Sequence, residues 1–522
     1  MLPRSRRTLL QGSLALAAAA LLPRRAFAAR DVRFVGYPFA LGVASGYPTP
    51  TGVTLWTRLA PAPLLPDGGM DPENVRVAYE VAEDEAFKTV VQRGASLAVP
   101  EWAHAVHVDV AGLQPGRWYF YRFIAGDELS PVGRTRTAEA PGQAVGKLRF
   151  GVGSCQHFEH GWYVAQRHLA AESLDLMVFL GDYIYEKSWG QNPVRQHRYD
   201  EVATLDAYRI RYAQYRTDPD LQRLHAVVPW IICWDDHEVD NDWADGQGEH
   251  FEPSFLARRA AAFQAWYEHM PVPARMRPTG PSATIYDSFA YGDLLRFSIL
   301  DDRQHRSPQP CPDPEKGAGS TTREVGSCPE LQAPDRTLLG DVQERWLDQR
   351  FKESRQRWNI VAQQTLVSPS VSDEAGKRSF WTDGWDGYPA ARDRLLRSLA
   401  RSRTSNPVIL GGDIHATVIA DLRARPDDPS SPVLASELCG TSLTSQSASK
   451  GQDQGEWEAR QAINPHFRYA SGRKRGYLLV EVEGASLHAT VVGVDEKRKD
   501  SPREALAAFR VDDGKPGPKP VA

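Results

Sequence analysis

Four short strings in the chain place carboxylates, a thiol, a phenol and imidazoles at the ends of apolar runs. They are Gly153-Ser154-Cys155, Gly181-Asp182-Tyr183-Ile184-Tyr185, Trp234-Asp235-Asp236-His237-Glu238 and Gly412-Asp413-Ile414-His415. Runs such as Leu176-Met177-Val178-Phe179-Leu180 and Val408-Ile409-Leu410 precede them and read as buried strands. Each run delivers its polar residues to a strand's carboxyl end, where open α/β sheets place their sites. The chemistry these residue types share is cation binding. A carboxylate can bridge two cations, and such a pair clamps the attacking and leaving oxygens of an in-line displacement. Asp182 is the expected bridge. Tyr185, Cys155 and His415 would add phenolate, thiolate and imidazole, a donor set suited to a redox-type metal, ferric iron first, over calcium. Asp236 and Asp413 are hard oxygen donors that suit Ca²⁺ or Mg²⁺. Together the strings predict a metal-dependent hydrolase.

The elements that must carry these residues follow from the texture around them. From residue 147 onward, short apolar strands alternate with helix-length segments, which argues an α/β class. Strands are expected at 148–152, 176–180, 230–234, 295–300, 358–362, 408–410 and 478–482. Helices fit 162–172, 204–216, 255–267, 340–353 and 391–401. A hairpin-like pair at 477–483 and 486–494 implies a mixed sheet. Residues 30–138 read instead as all-β. Val75, Val77, Tyr79 and Val81 alternate with Arg76, Ala78 and Glu80, the period of a half-buried strand. The turn Leu113-Gln114-Pro115 ahead of Tyr119 resembles the tyrosine corner of immunoglobulin and fibronectin type III sandwiches. Residues 137–146, rich in Ala, Gly and Pro, read as a linker. The expected divisions are a β-sandwich at 30–138, a catalytic domain at 147–512 and a flexible tail at 513–522.

The chain has 522 residues and a formal net charge of −4, with no basic block or arm, so a nucleic-acid-binding surface is not expected. Its first residues carry Ser5-Arg6-Arg7-Thr8-Leu9-Leu10, an Ala/Leu run to Leu22, and Ala26-Phe27-Ala28. This is the form of a twin-arginine signal peptide, cleaved after Ala28. It makes the twin-arginine export machinery a partner and the periplasm or the medium the destination. The apolar run is too short to be a stable membrane anchor, which takes roughly 20 residues. Of five cysteines, Cys311 and Cys328 bracket a stretch without apolar periodicity, and export would allow a disulfide there. Cys233 and Cys439 read as core residues. Trp189, Trp381 and Trp385 either line a cleft or pack beneath loops, and packing is the simpler reading.

With Val239 and Asn241 added after His237-Glu238, the four strings resemble the PhoD-like alkaline phosphatase/phosphodiesterase family, a distant relative of purple acid phosphatases. The resemblance spans nearly the whole chain. It implies a metallophosphoesterase-type four-layer sandwich of mixed β-sheets flanked by helices, with an N-terminal immunoglobulin/fibronectin III-like domain. It also implies an exported phosphoesterase that hydrolyses phosphodiesters and phosphomonoesters and releases phosphate, with Fe³⁺ and Ca²⁺ as cofactors. By that pattern Cys155 stands beside the bridge Asp182, Tyr185 and His415 complete an iron site, and Asp236 and Asp413 serve the second site. His237 matches a histidine outside the metal shell and is, with Asp236, the expected catalytic residue. The superfamily's Val-x-x-His is missing. Val361-Ala362-Gln363-Gln364 is its nearest counterpart, which makes Gln364 an expected oxygen ligand, and Asn241 another. Asp301 reads as structural and Arg303 as a phosphate contact. The implied reaction is in-line attack of water on phosphorus, with a small-molecule phosphoester as substrate. A phospholipase-type specificity for lipid headgroups and a non-catalytic, calcium-stabilised binding protein are the rival readings.

Overall fold

The structure, a computed structural model, describes residues 33–426, 428–447 and 455–521. The signal segment expected at 1–28 lies outside the described residues. Two mixed sheets form the centre. Across the larger sheet the strands run Lys515–Val521, Glu504–Asp512, Ser486–Val494, Arg475–Glu483, Lys147–Gly153, Leu176–Phe179, Trp230–Ile232, Val43–Thr49, Gly52–Arg58 and Ala105–Ala111. Across the smaller they run Asp287–Tyr291, Leu295–Ile299, Trp358–Ala362, Pro407–Gly411, Val433–Cys439, Thr417–Arg423 and Phe467–Ser471. The middle strands of both sheets pair in parallel, which directs their carboxyl ends to one side.

The alternation of side chains shows how the layers stack. Trp358, Ile360 and Ala362 join the core shared with the larger sheet, whereas Val361 packs with Leu347, Phe351 and Leu395. Phe150 and Phe297 meet edge-to-face across the two sheets at 5.3 Å. Helices Gly340–Glu353 and Pro389–Ser402 therefore cover the outer face of the smaller sheet. Helices Val164–Ala170, Leu205–Arg216, Pro219–Val227 and Phe255–His269 bury their apolar residues with the larger sheet. Period-2 alternation in a strand with two covered faces makes every position apolar, as in Leu176–Phe179.

The N-terminal strands form a sandwich with its own core. Val90–Ala98, Val75–Ala82, Trp118–Ala125 and Gly133–Arg136 make one sheet. Its Val77, Tyr121 and Phe123 pack on Val53, Leu55, Val106 and Val108 of the facing strands. The backbone N–H of Gln114 donates to Tyr119 Oη at 2.9 Å, the contact expected of a tyrosine corner. This sandwich does not stand apart, because Gly46 pairs in parallel with Trp230 and joins three of its strands to the larger sheet.

One expectation is corrected. The Gly/Pro/Lys-rich C-terminus is no loose tail: Lys515–Val521 pairs with Glu504–Asp512, and Gly517 N–H donates to Ser436 Oγ at 3.0 Å. Asp513-Gly514 makes the hairpin turn, and an edge strand tolerates prolines because one row of its N–H groups needs no partner. Cys311 and Cys328 form the expected disulfide, with Cα atoms 6.0 Å apart, and Cys155, Cys233 and Cys439 are free and buried. The bridged segment contributes Thr322–Glu324 to a small sheet with Ser372–Glu374 and Lys377–Trp381. Among the described residues, no helix is long and apolar enough to cross a membrane.

Candidate metal centre

The four strings converge at the carboxyl ends of Lys147–Gly153, Leu176–Phe179, Trp230–Ile232 and Pro407–Gly411. The backbone that aims them is unusual. Cys155, Asp182, Asp413 and His415 all have left-handed φ, between 53° and 67°. Gly181 before Asp182 also has positive φ, and a Cβ there would collide with Asp235. A Cβ at Gly412 would strike Ser154, so this glycine lets two strand ends approach.

Ligand atoms of Cys155, Asp182 and His415 lie within 4.8 Å of one another, as do those of Asp182, Asp235, Asp236 and Asp413. Asp182 belongs to both groups. Tyr185 Oη donates to Asp182 Oδ2 at 2.8 Å, lies 3.1 Å from His415 Nε2 and accepts from Ser445 Oγ at 2.7 Å. His415 Nδ1 lies 2.5 Å from the Gln446 carbonyl, so Nδ1–H donates there and Nε2 is turned to Tyr185. His237 Nδ1 sits 2.6 Å from Glu186 Oε2, and the His237 ring packs 4.1 Å from Tyr185. Asn241 donates its backbone N–H to Glu186 at 3.1 Å and its side-chain amide to Glu249 at 2.9 Å.

Crowding of acids in a dry site governs the electrostatics. Burial, with Asp236, Asp235 and Glu238 alongside, pushes the Asp182 carboxyl well up against the pull of His237. Burial and Asp235 do the same to Asp413. Burial, then Asp182 and Asp413, raises the Cys155 thiol, and burial with Asp182 and Cys155 raises the Tyr185 phenol. Burial lowers His415 to about 3, leaving a neutral imidazole. Burial opposes ionisation of Asp236, yet Arg303 and His237 hold its pKa below the usual range. Burial likewise opposes a charged His237, but Glu186, Asp236 and Asp182 raise it well above 6.5.

These observations fit a cation. Asp413 Oδ2 and Asp236 Oδ1 are buried and accept no hydrogen bond. Such oxygens are costly unless an ion or water meets them. Four carboxylates in one buried pocket cannot all ionise without added positive charge. Cys155, Asp182, Tyr185 and His415 form one donor set, and Asp182, Asp236 and Asp413 a harder one.

Two expected roles are corrected. Gln364 is 0% exposed, and its amide straps strand ends together. Nε2 donates to the carbonyls of Trp234 and Leu300 at 2.8 and 3.0 Å, and Oε1 accepts from Asp302 N–H at 3.3 Å. With both ends of the amide engaged, it is a clamp instead of a free ligand. Arg303 is 0% exposed and locked among Asp235, Asp236 and Asp383, so it is no phosphate contact. Asp301 is structural as expected: its Oδ1 accepts from Trp234 Nε1, Arg303 N–H and Gln304 N–H.

Other residues of the site escaped the sequence reading. Glu186 orients His237. Glu238, 1% exposed, accepts from the backbone N–H groups of Asp182, Tyr183 and Asp235 and ties two of the strings together. The only sequence signal for either is adjacency to a ligand. Trp189 and Trp381, read as packing residues, line the cleft above the cluster, with Lys187, Trp457 and Arg460. That cleft has a volume of about 790 Å³.

Known proteins show the same pattern. The PhoD-like phosphatase model matches residues 150–491, and the model of the N-terminal domain of PhoD-like phosphatases matches residues 26–139. Alkaline phosphatase D of Bacillus subtilis (strain 168) is 42% identical over 456 residues, which cover 85% of this chain and 76% of the relative. The solved structure of PhoD superposes with a TM-score of 0.88 at 40% identity, covering 94% of this chain and 93% of that one. A likeness this extensive makes the protein a phosphoric-ester hydrolase, and the chain belongs to the PhoD-like phosphatase family.

Proposed function

We propose that the chain is an exported phosphoesterase of the alkaline phosphatase D type that hydrolyses phosphodiesters and phosphomonoesters at a mixed metal centre. Cys155, Asp182, Tyr185 and His415 would hold a ferric ion. Asp182, Asp236 and Asp413, with Asn241 nearby, would hold calcium. The observation that carries this reading is the sharing of Asp182 by two buried clusters of different donor chemistry. The metallophosphoesterase-type four-layer fold, export by the twin-arginine route and cleavage after Ala28 belong to the same reading. It is supported by the two facing sheets with helices outside each.

Bound cations supply Lewis-acid polarisation of a phosphoryl oxygen and acidify an attacking water. The chain's own residues do the rest. Ser445 and Asp182 fix the Tyr185 phenol, and Gln446 fixes the His415 tautomer. Glu186 holds Nδ1 of His237, whose ring lines the cleft, and favours its charged form. His237 thereby donates a proton to the leaving oxygen, or a hydrogen bond to the transferring group. Trp189 and Trp381 flank a cleft far larger than phosphate, and its volume leaves room for the second ester arm of a diester.

Hydrolysis of bis(p-nitrophenyl) phosphate with and without chelator tests the activity, beside metal analysis and a visible spectrum of protein purified without added metal. The expected result is iron near one per chain, calcium, a violet band and activity lost to chelator. Zinc or manganese without a band would overturn the iron assignment, and chelator-insensitive activity would overturn the metal mechanism.

A further inference from the structure

Arg303 is the one cation that the described ion pairs join to the acid cluster. It sits on the loop after strand Leu295–Ile299 with no exposed surface. Nε donates to Asp235 Oδ1. Nη1 donates to Asp383 Oδ1 at 2.8 Å, while Nη2, without a hydrogen bond, lies 2.8 Å from Asp383 Oδ2 and 3.5 Å from Asp236 Oδ1. Asp383 is itself shared: Arg306 Nη1 reaches it at 2.9 Å and Gln309 donates to it. One guanidinium is thus paired with Asp383 from each side, and the charge of Arg303 is left to face Asp235 and Asp236. The planar guanidinium directs one N–H to Asp235 and another to Asp383 while its charge lies near Asp236, and a lysine ammonium would reproduce the charge without the directions.

Asp236 Oδ1 is the Asp236 oxygen that faces Arg303, and it is also one of the buried oxygens without a hydrogen bond. The same carboxylate therefore looks toward a fixed positive charge on one side and the cluster on the other. We propose that Arg303 is the internal counter-ion of the acid cluster, a positioning residue that lets the chain hold Asp182, Asp235, Asp236 and Asp413 together before a cation arrives and that weakens binding of the cation when it does. The inference rests on the reading that Asp236 and Asp413 bind a divalent cation.

Two opposite effects follow from one charge. Without a cation, Arg303 offsets repulsion among buried carboxylates. With a dication on Asp236, Arg303 is a like charge a few ångströms away in a medium that screens poorly. Removing the charge should therefore harm the cation-free protein more than the loaded one, and calcium should bind more tightly. A role confined to packing would lower both forms alike.

Full-length wild type, Arg303→Gln and Arg303→Lys would be stripped with EGTA, titrated with CaCl₂ and followed by calorimetric melting. The wild type should gain Tm with calcium. Arg303→Gln should lose more Tm in EGTA than in saturating calcium, and its half-saturating calcium should fall roughly tenfold or more. Arg303→Lys, which keeps the charge and loses the two directed N–H groups, should stay within about threefold of the wild type. Equal Tm losses with unchanged half-saturation would overturn the counter-ion role. Should Arg303→Gln not fold, a tenfold tighter calcium response in Arg303→Lys would refute it independently. A wild type indifferent to calcium would sink the cation reading itself, and the role of Arg303 with it.

Discussion

Glu186→Gln probes the proposed proton donor without touching it. Glu186 is 0% exposed; Oε2 holds His237 Nδ1 at 2.6 Å and Oε1 accepts the Asn241 N–H at 3.1 Å. In the variant, Asn241 selects the amide orientation, because only the carbonyl end can accept its N–H. The NH₂ end then faces Nδ1, which must become an acceptor, and the imidazolium loses its nearest anion. An opposite charge at this range raises a histidine by about 1–3 units. Above both pKa values the protonated fraction falls by the same power of ten. Turnover at a pH above both values should fall about tenfold to a thousandfold, while turnover well below them changes little. Bound cations shift His237 alike in both proteins, so the difference between the two pH–rate profiles isolates Glu186. The pair also has a sign in stability. His237 is raised in the fold, so its contribution is full below about pH 6.5 and lost as pH rises through the folded value, and Glu186→Gln should flatten that alkaline decline. Profiles that superimpose after scaling by a constant would refute the assignment of His237 as the donor.

Three further outcomes are expected. His237→Ala should lower turnover by about a hundredfold to ten-thousandfold with iron and calcium content retained, and metal analysis would expose a ligand role by an equal loss of both. His107 stacks on Tyr267 at 4.2 Å and meets the Met270 carbonyl at 3.0 Å, and burial lowers its pKa to about 4. The folded state therefore binds fewer protons between about pH 6.5 and 4, so stability falls by about 3 kcal/mol as pH drops through that window. Denaturation curves of His107→Gln should lack that share. Opening the disulfide with Cys311→Ser and Cys328→Ser, 17 residues apart, should cost about 3 kcal/mol on the loop-entropy estimate and loosen the Trp381 wall, read as a raised KM for diesters.

The convergence of the four strings was legible because they combine two local signals, an apolar run and a cluster of polar donor residues just past it. The helices at Gly340–Glu353 and Leu205–Arg216 were legible for a similar reason, since their apolar periods are contained within one segment. What stayed hidden depends on distant parts of the chain. Gln364 reads as a ligand by its place after Trp358–Ala362, and only its contacts with Trp234, Leu300 and Asp302 reveal a clamp. Arg303 reads as a phosphate contact by charge alone, while its burial follows from Asp235 and Asp383, 68 and 80 residues away. Trp381 reaches the cleft wall because Thr322–Glu324 pairs beside it, a register no local pattern encodes. The C-terminal strand was missed because Gly and Pro signal irregular chain unless an open sheet edge awaits them.

The strained backbone at four residues of the cluster connects these observations. Cys155, Asp182, Asp413 and His415 each occupy a left-handed conformation that costs a side-chain-bearing residue on the order of 1–3 kcal/mol. Extended backbone would send successive side chains to opposite faces of the sheet, into the core or under the helices. A left-handed step after three of the strands turns the chain across the end of the sheet instead, which lets their residues meet those of the fourth, Trp230–Ile232, above it. Glycine would adopt this geometry without strain, and Gly181 does so beside Asp182, but glycine brings no ligand. The strain is held by cross-ties between strand ends: Cys155 N–H to the Gly181 carbonyl at 3.0 Å, Gln156 N–H to that of Asp182 at 3.0 Å, and Gly412 N–H to that of Gln364 at 2.7 Å. Glu238 adds two more bonds between the second and third strings and a third within its own. Each tie joins backbone from a different strand, so the site's geometry is set by sheet order and not by any one loop. A change in one strand's register would displace a residue of the cluster and release its strain together, so under the proposed function cation affinity should depend on the integrity of both sheets.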